Sequence, residues 1–150
     1  MLEAALAAFH LLALLAWVVF LSSQTALCRV EWLNEAVVRR LARVDAITQW
    51  ALAVVLATGG LRLFLGAKGM GWYLAQPLMH IKLLIVAGLI AMAWGPSRRI
   101  RAWQRTLENH GNLPDGQAIQ TTRRQLMRLA HLMIAVPVLA VLLVRGIGGP

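Results

Sequence analysis

Apolar residues fall into four runs, 2–27, 46–65, 73–94 and 126–147, separated by segments that hold most of the charge. Each run is close to the ~20 residues a helix needs to cross a hydrocarbon layer about 30 Å thick. Backbone N–H and C=O groups meet no water in that layer, so each run must pair them internally and is expected to be helical. Between the first two runs, Val30, Leu33, Val37, Leu41 and Val44 recur at helical spacing with Arg39, Arg40 and Arg43 on the other side, which predicts an interfacial amphipathic helix. Ile100, Trp103 and Leu107 extend the third helix as an amphipathic stretch until the sequence NLPDG at 112–116 turns the chain. The expected fold is all-α: one integral membrane four-helix bundle spanning residues 1–150.

Composition agrees with this setting: 59% of the chain is apolar, 14% is charged and the mean hydropathy is +0.66. The net charge of +9 is unevenly placed. With four spans, Arg62, Lys68 and Arg145 lie on the side of the termini, while eleven arginines lie opposite, at 29, 39, 40, 43, 98, 99, 101, 105, 123, 124 and 128. Positive loops stay in the cytoplasm, so both termini are expected on the outer side of a bacterial inner membrane, with the Arg-rich loops touching anionic lipid. No stripe of interleaved aromatics and Arg suggests a nucleic-acid surface, and no nucleophile pair, phosphate loop or compact carboxylate cluster suggests a hydrolase or kinase. The first run lacks the preceding Lys or Arg of a secretory signal and exceeds its usual apolar length. Leu27 is too large for a typical processing site beside Cys28, which is therefore expected to be a small structural residue at the membrane surface.

Polar residues inside the runs carry the candidate chemistry, because an ionisable group at the centre of a span costs ~2.5–3.5 kcal/mol on insertion scales. Glu3, His10, Trp17 and Gln24 are spaced by seven and share a stripe of the first helix that is expected to face the bundle. On the fourth helix Arg124, His131, Val138 and Arg145 form a similar stripe, and Pro137 should kink the helix and release the Met133 carbonyl. Asp45 is expected to cap the second helix. His80 and Lys82 are separated by about 200° on the third helix. His80 shares a face with Leu84, Ala87, Ala91 and Gly95 and is expected to point inward; Lys82 shares the opposite face with Ile85, Val86 and Leu89 and could snorkel to the outer surface. Ala87, Ala91 and Gly95 also offer a small-residue stripe for a homodimer.

Depth joins some of these residues. At about 1.5 Å per residue, His10 and His80 lie roughly 10–12 Å below the outer surface, with Arg62 and Lys82 at neighbouring levels and Trp17 about two turns deeper. His131 falls toward the opposite surface. Two imidazoles and two cations inside a helical bundle suit a haem: His10 and His80 as iron ligands, Arg62 and Lys82 as propionate partners, Trp17 as a wall for the ring. Met79, Met92, Met127 and Met133 would suit Cu(I), but they are scattered over different helix faces, as in ordinary packing. A rival reading has no cofactor, the histidines serving only to hydrogen-bond helices together in an accessory or assembly protein.

The run RVDAITQWALAVVLATGGLRLFLGAKGMGWYLAQPLMHIKLLIVAGLI, residues 43–90, resembles an uncharacterised bacterial family of four-helix membrane proteins, and the resemblance covers nearly the whole chain. More distantly, His10 with Trp17 and the stretch MHIKLLIV at 79–86 resemble the HemJ-type protoporphyrinogen oxidases, small four-helix membrane proteins that bind haem b. CopD-type copper-resistance domains have a related architecture. The HemJ resemblance implies that His10 ligates iron and that His80 and Lys82 occupy a His-x-Lys-Leu motif. The sequence HLMIAV before Pro137 replaces the Asn-Glu pair of that pattern. The expected function is therefore haem b or porphyrin binding with a redox role, in exchange with a porphyrin or a membrane electron carrier.

Overall fold

The computed structural model describes residues 1–65 and 69–145. Lys68 and the last two positions of the fourth apolar run lie outside the described residues. Six helices are formed: α1 (Leu2–Leu27), α2 (Glu35–Leu65), α3 (Gly69–Ala75), α4 (Pro77–His110), α5 (Gly116–Leu132) and α6 (Ala135–Val144), and no strand occurs among the described residues. Four are long and apolar enough to cross a membrane: α1, α2, α4, and α5 continued into α6 over Gly116–Leu142.

The helices are longer than the apolar runs, and local chemistry explains each boundary. Asn34 starts α2, its side-chain Oδ1 accepting from Val37 N–H at 3.0 Å. The amphipathic stretch between the first two runs is thus not a separate interfacial helix, and Asp45 is not a cap but lies a full ten residues inside α2. Its apolar stripe is Val38, Leu41 and Ala42, which continues through Asp45, Thr48, Leu52, Val55 and Thr58 as the buried face of one 31-residue helix. The third run is divided at Gln76, held extended (φ −87°, ψ 119°) by Pro77, so residues 73–75 belong to α3 and α4 begins with proline in the first turn. The amphipathic extension of α4 is present, burying Ile100, Trp103 and Leu107, and it stops where Gly111 adopts φ 68° and donates its N–H to the Leu107 carbonyl. Asp115 caps α5 by accepting from Ala118 N–H at 2.7 Å.

Pro137 acts as its chemistry requires. Having no N–H, it cannot bond the Met133 carbonyl, and the helix breaks between α5 and α6; Val136 N–H bonds that carbonyl instead at 3.1 Å.

Two of the helices are longer than a membrane crossing needs. α2 and α4 contain 31 and 34 residues, or about 46 and 51 Å, against about 30 Å of hydrocarbon. The surplus lies at the Arg-rich end, where exposed Trp32, Trp50 and Trp94 mark the interface and Val38, Leu41, Ile100, Trp103, Leu107 and Ile119 build a small buried core. Deeper, Trp17, Leu21, Leu52, Leu89, Leu126 and Leu129 continue that core between α1, α2, α4 and α5. The α1 and α2 helices make the most extensive helix pair.

Polar links join the helices at the Arg-rich end. Gln24 Nε2 donates to Asp45 Oδ1 at 3.0 Å and Ser97 Oγ donates to Asp45 Oδ2 at 2.7 Å, tying α1, α2 and α4 together. Arg99 Nη1 donates to Thr122 Oγ1 and Gln125 Oε1, at 3.2 and 2.9 Å, tying α4 to α5. Replacing Asp45 by Ala leaves two buried donors unsatisfied and should lower stability by about 2–4 kcal/mol. Thermal unfolding in detergent measures this; an Asp45→Ala protein that melts with the wild type would remove the carboxylate from its structural role.

Candidate functional site

His10 is half-buried on α1 and meets α2 through Thr58, with 2.9 Å between His10 Nδ1 and Thr58 Oγ1. The hydroxyl has one proton, and the Val54 carbonyl takes it at 2.6 Å. With that proton on Val54, Thr58 Oγ1 is set to accept from His10, an arrangement that favours the Nδ1–H tautomer and would leave Nε2 with its lone pair. Gly59 makes room for the ring: a Cβ there would stand 3.1 Å from His10 Cε1. Thr58 and Gly59 were not among the candidate residues read from the sequence, although the Thr-Gly-Gly run inside an apolar span was a visible signal.

Two cations belong to the same level. Lys82 and Arg62, both half-buried, lie within electrostatic reach of His10 and of each other. Among the described residues the single ion pair within 4 Å is Arg39 with Glu35, at 3.9 Å and on the far end of the molecule, so neither cation is paired with a carboxylate of those residues. Glu3 is the one acidic residue of the terminal side, and it is exposed. Trp17 sits below this level at 1% exposure, within the hydrophobic core.

His80 does not point inward. It is exposed, and its Nδ1 lies 3.1 Å from the Gln76 carbonyl of its own helix. The whole face it shares with Leu84, Ala87 and Ala91 is exposed, whereas Leu89 is buried and Ile85 and Val86 pack on the core beside Lys82. The inward face of α4 is thus the lysine face. Large aliphatic side chains fill the space between helices here, and the small ones look outward.

His131 is also exposed, its Nδ1 2.6 Å from the Met127 carbonyl. It borders an open groove of about 550 Å³ with Met92, Met127, Arg124, Arg128 and Leu132. Two of the four methionines considered for copper therefore share a surface with a histidine, while Met79 and Met133 are buried elsewhere. Among the described residues no three of His, Cys, Asp and Glu come together as a metal site. Cys28 is buried against α5, its Sγ 3.7 Å from the Ile119 carbonyl, and burial pushes its thiol up to about 11 despite the opposing charge of Arg123.

The comparison with protein families agrees with a membrane setting. A family described as predicted membrane protein (DUF2214) matches residues 2–148. The chain belongs to the DUF2214 family. No curated protein and no solved structure matches it.

The His10 tautomer is directly measurable. In ¹⁵N-histidine-labelled protein, the resonance lost in His10→Gln should report an Nδ1–H, Nε2-unprotonated ring, and Thr58→Val should release it into a mixture of tautomers. An Nε2–H ring at His10 in the wild type would contradict the assignment.

Proposed function

We propose that this DUF2214 protein binds a haem or porphyrin in the half of the bundle nearer the termini and serves a redox role in a bacterial inner membrane. One observation carries the reading: the His10 imidazole, held across the α1–α2 pair through its Nδ1, stands beside two half-buried cations that pair with no carboxylate among the described residues. A buried cation without a partner is costly in low dielectric, so the site calls for an anionic, apolar ligand. His10 would donate its Nε2 lone pair to iron, with the Thr58 bond orienting the ring as a supporting hydrogen bond does at other metal sites. Lys82 and Arg62 would hold the propionates, and Gly59 keeps the imidazole from being crowded by α2. When bound, haem b supplies one-electron chemistry at its iron. His80 joins this reading through its HemJ-type resemblance; its exposed ring gives it a lesser part than His10. Oxidation of protoporphyrinogen, the HemJ-type activity, is a further extension of the same proposal.

The rival reading, a cofactor-free accessory protein whose histidines lock helices, draws on the same His10–Thr58 bond. An absorption spectrum of protein purified in mild detergent from haem-sufficient cells separates the two. Expected are a Soret band that shifts on reduction, its loss in His10→Ala, reduced occupancy in Lys82→Met, and a retained band in His131→Ala. A colourless wild-type protein would favour helix locking.

The orientation is part of the proposal, since eleven arginines stay cytoplasmic only if both termini face out. A cysteine introduced at Asn112, in the exposed turn before α5, should resist an impermeant thiol reagent in intact cells and react after lysis. Native Cys28 gives little background because its buried thiol carries almost no thiolate near neutral pH. Labelling of intact cells would reverse the topology.

A further inference from the structure

A second ligand surface lies at the Arg-rich end, on the outer face of α5, and is independent of the haem reading. Among the described residues, two buried side-chain nitrogens have no hydrogen-bond partner, Arg29 Nε and Arg123 Nε. Buried guanidinium N–H groups are normally satisfied, so each Nε asks for an acceptor that the described residues do not provide. Arg29 is anchored by stacking over Trp32, 4.6 Å from the ring centroid.

Arg123 borders a cavity of about 220 Å³ whose wall includes Arg124, Glu31, Gln120, Cys28 and Met127. Its two arginines and one glutamate leave a single net positive charge, which suits a monoanion. Arg124 and Met127 also border the groove of about 550 Å³ below it, where Met92 and Leu132 present apolar surface and Arg128 adds a cation. The two spaces therefore share a wall. Gln120, Arg123, Arg124, Met127 and His131 follow at helical spacing down α5, so the surface runs from polar at the membrane interface to apolar within the span.

That gradient matches an amphiphile with a charged head. We infer that this groove binds one anionic phospholipid, its phosphodiester held by Arg123 and Arg124 and its acyl chains lying along Met127, Met92 and Leu132. Phosphate oxygens supply the acceptor that Arg123 Nε lacks, and planar guanidinium is well suited to bidentate phosphate contact. Basic pockets between membrane helices recognise phospholipid headgroups in this way.

The test uses full-length protein in nonionic detergent, equilibrated with equal amounts of phosphatidylglycerol and phosphatidylcholine of identical chains, with bound lipid counted by native mass spectrometry. One phosphatidylglycerol should be retained in preference to phosphatidylcholine. Arg123→Gln should weaken that retention at least about fivefold, and Arg124→Gln, at an exposed position, does the same where Arg123→Gln folds poorly. Arg105→Gln, an exposed arginine outside the groove, should match the wild type. Equal retention of both lipids would overturn the inference, as would an equal loss in Arg105→Gln, which would reduce the effect to net charge. Displacement of phosphatidylglycerol by millimolar inorganic phosphate, which then binds alone, would make the occupant a free phosphate and overturn the lipid assignment.

Discussion

The carboxylate of Asp45, 3% exposed, is the fixed point of the bundle. Lipid is as apolar as the faces of the spanning helices, so hydrophobicity alone gives them little reason to associate or to choose a register. A buried carboxylate does both, because its cost is offset only when donors meet it at hydrogen-bond distance. Gln24 and Ser97 do so from α1 and α4, one to each oxygen. Sliding any one of the three helices by a turn, about 5.4 Å, would separate donor from acceptor and leave a charge without partners.

Around this point the protein uses water as well as hydrogen bonds. The projecting parts of α2, α4 and α5 enclose Val38, Leu41, Ile100, Trp103, Leu107 and Ile119 beyond the hydrocarbon layer. There the hydrophobic effect operates as in a soluble protein. With Arg99 bridging to Thr122 and Gln125, this end holds the helices together. The other half can therefore be built from weaker contacts: α1 is largely exposed before Ala13, and His10 with Thr58 forms its cross-helix hydrogen bond.

The spans, the all-helical class and the kink at Pro137 were legible because each follows from a strong local rule: hydrocarbon thickness, internal backbone pairing, a missing N–H. The stripe of Trp17 and Gln24 was legible too, since polar groups and indoles in a span gain from facing other helices. The inward face of α4 was not. Periodicity divides a helix into faces, but in lipid both faces are apolar, and a choice based on small residues exchanged His80 for Lys82. The helix ends were misread for a related reason. Hydropathy stops at the membrane surface while hydrogen bonding does not, so Asn34 rather than Asp45 begins α2. Thr58 stood out only as part of a Thr-Gly-Gly run, because its role lies in the contact it makes with another helix.

The three histidines of the spans show how much depends on that last distinction. His80 and His131 turn Nδ1 toward the carbonyl one turn back on their own helices, at 3.1 and 2.6 Å. Such a bond is available to any histidine on a helix and fixes the ring relative to its own backbone alone. His10 instead pairs its Nδ1 with Thr58 on α2, whose hydroxyl bonds back to Val54. The position of that imidazole is therefore set by the packing of two helices, with Gly59 giving it clearance. A ligand site needs its donor atom held against a rigid frame before the ligand arrives. Of the three rings, His10 alone is oriented across a helix pair, and the two cations within its reach lie on the helices that complete that side of the bundle.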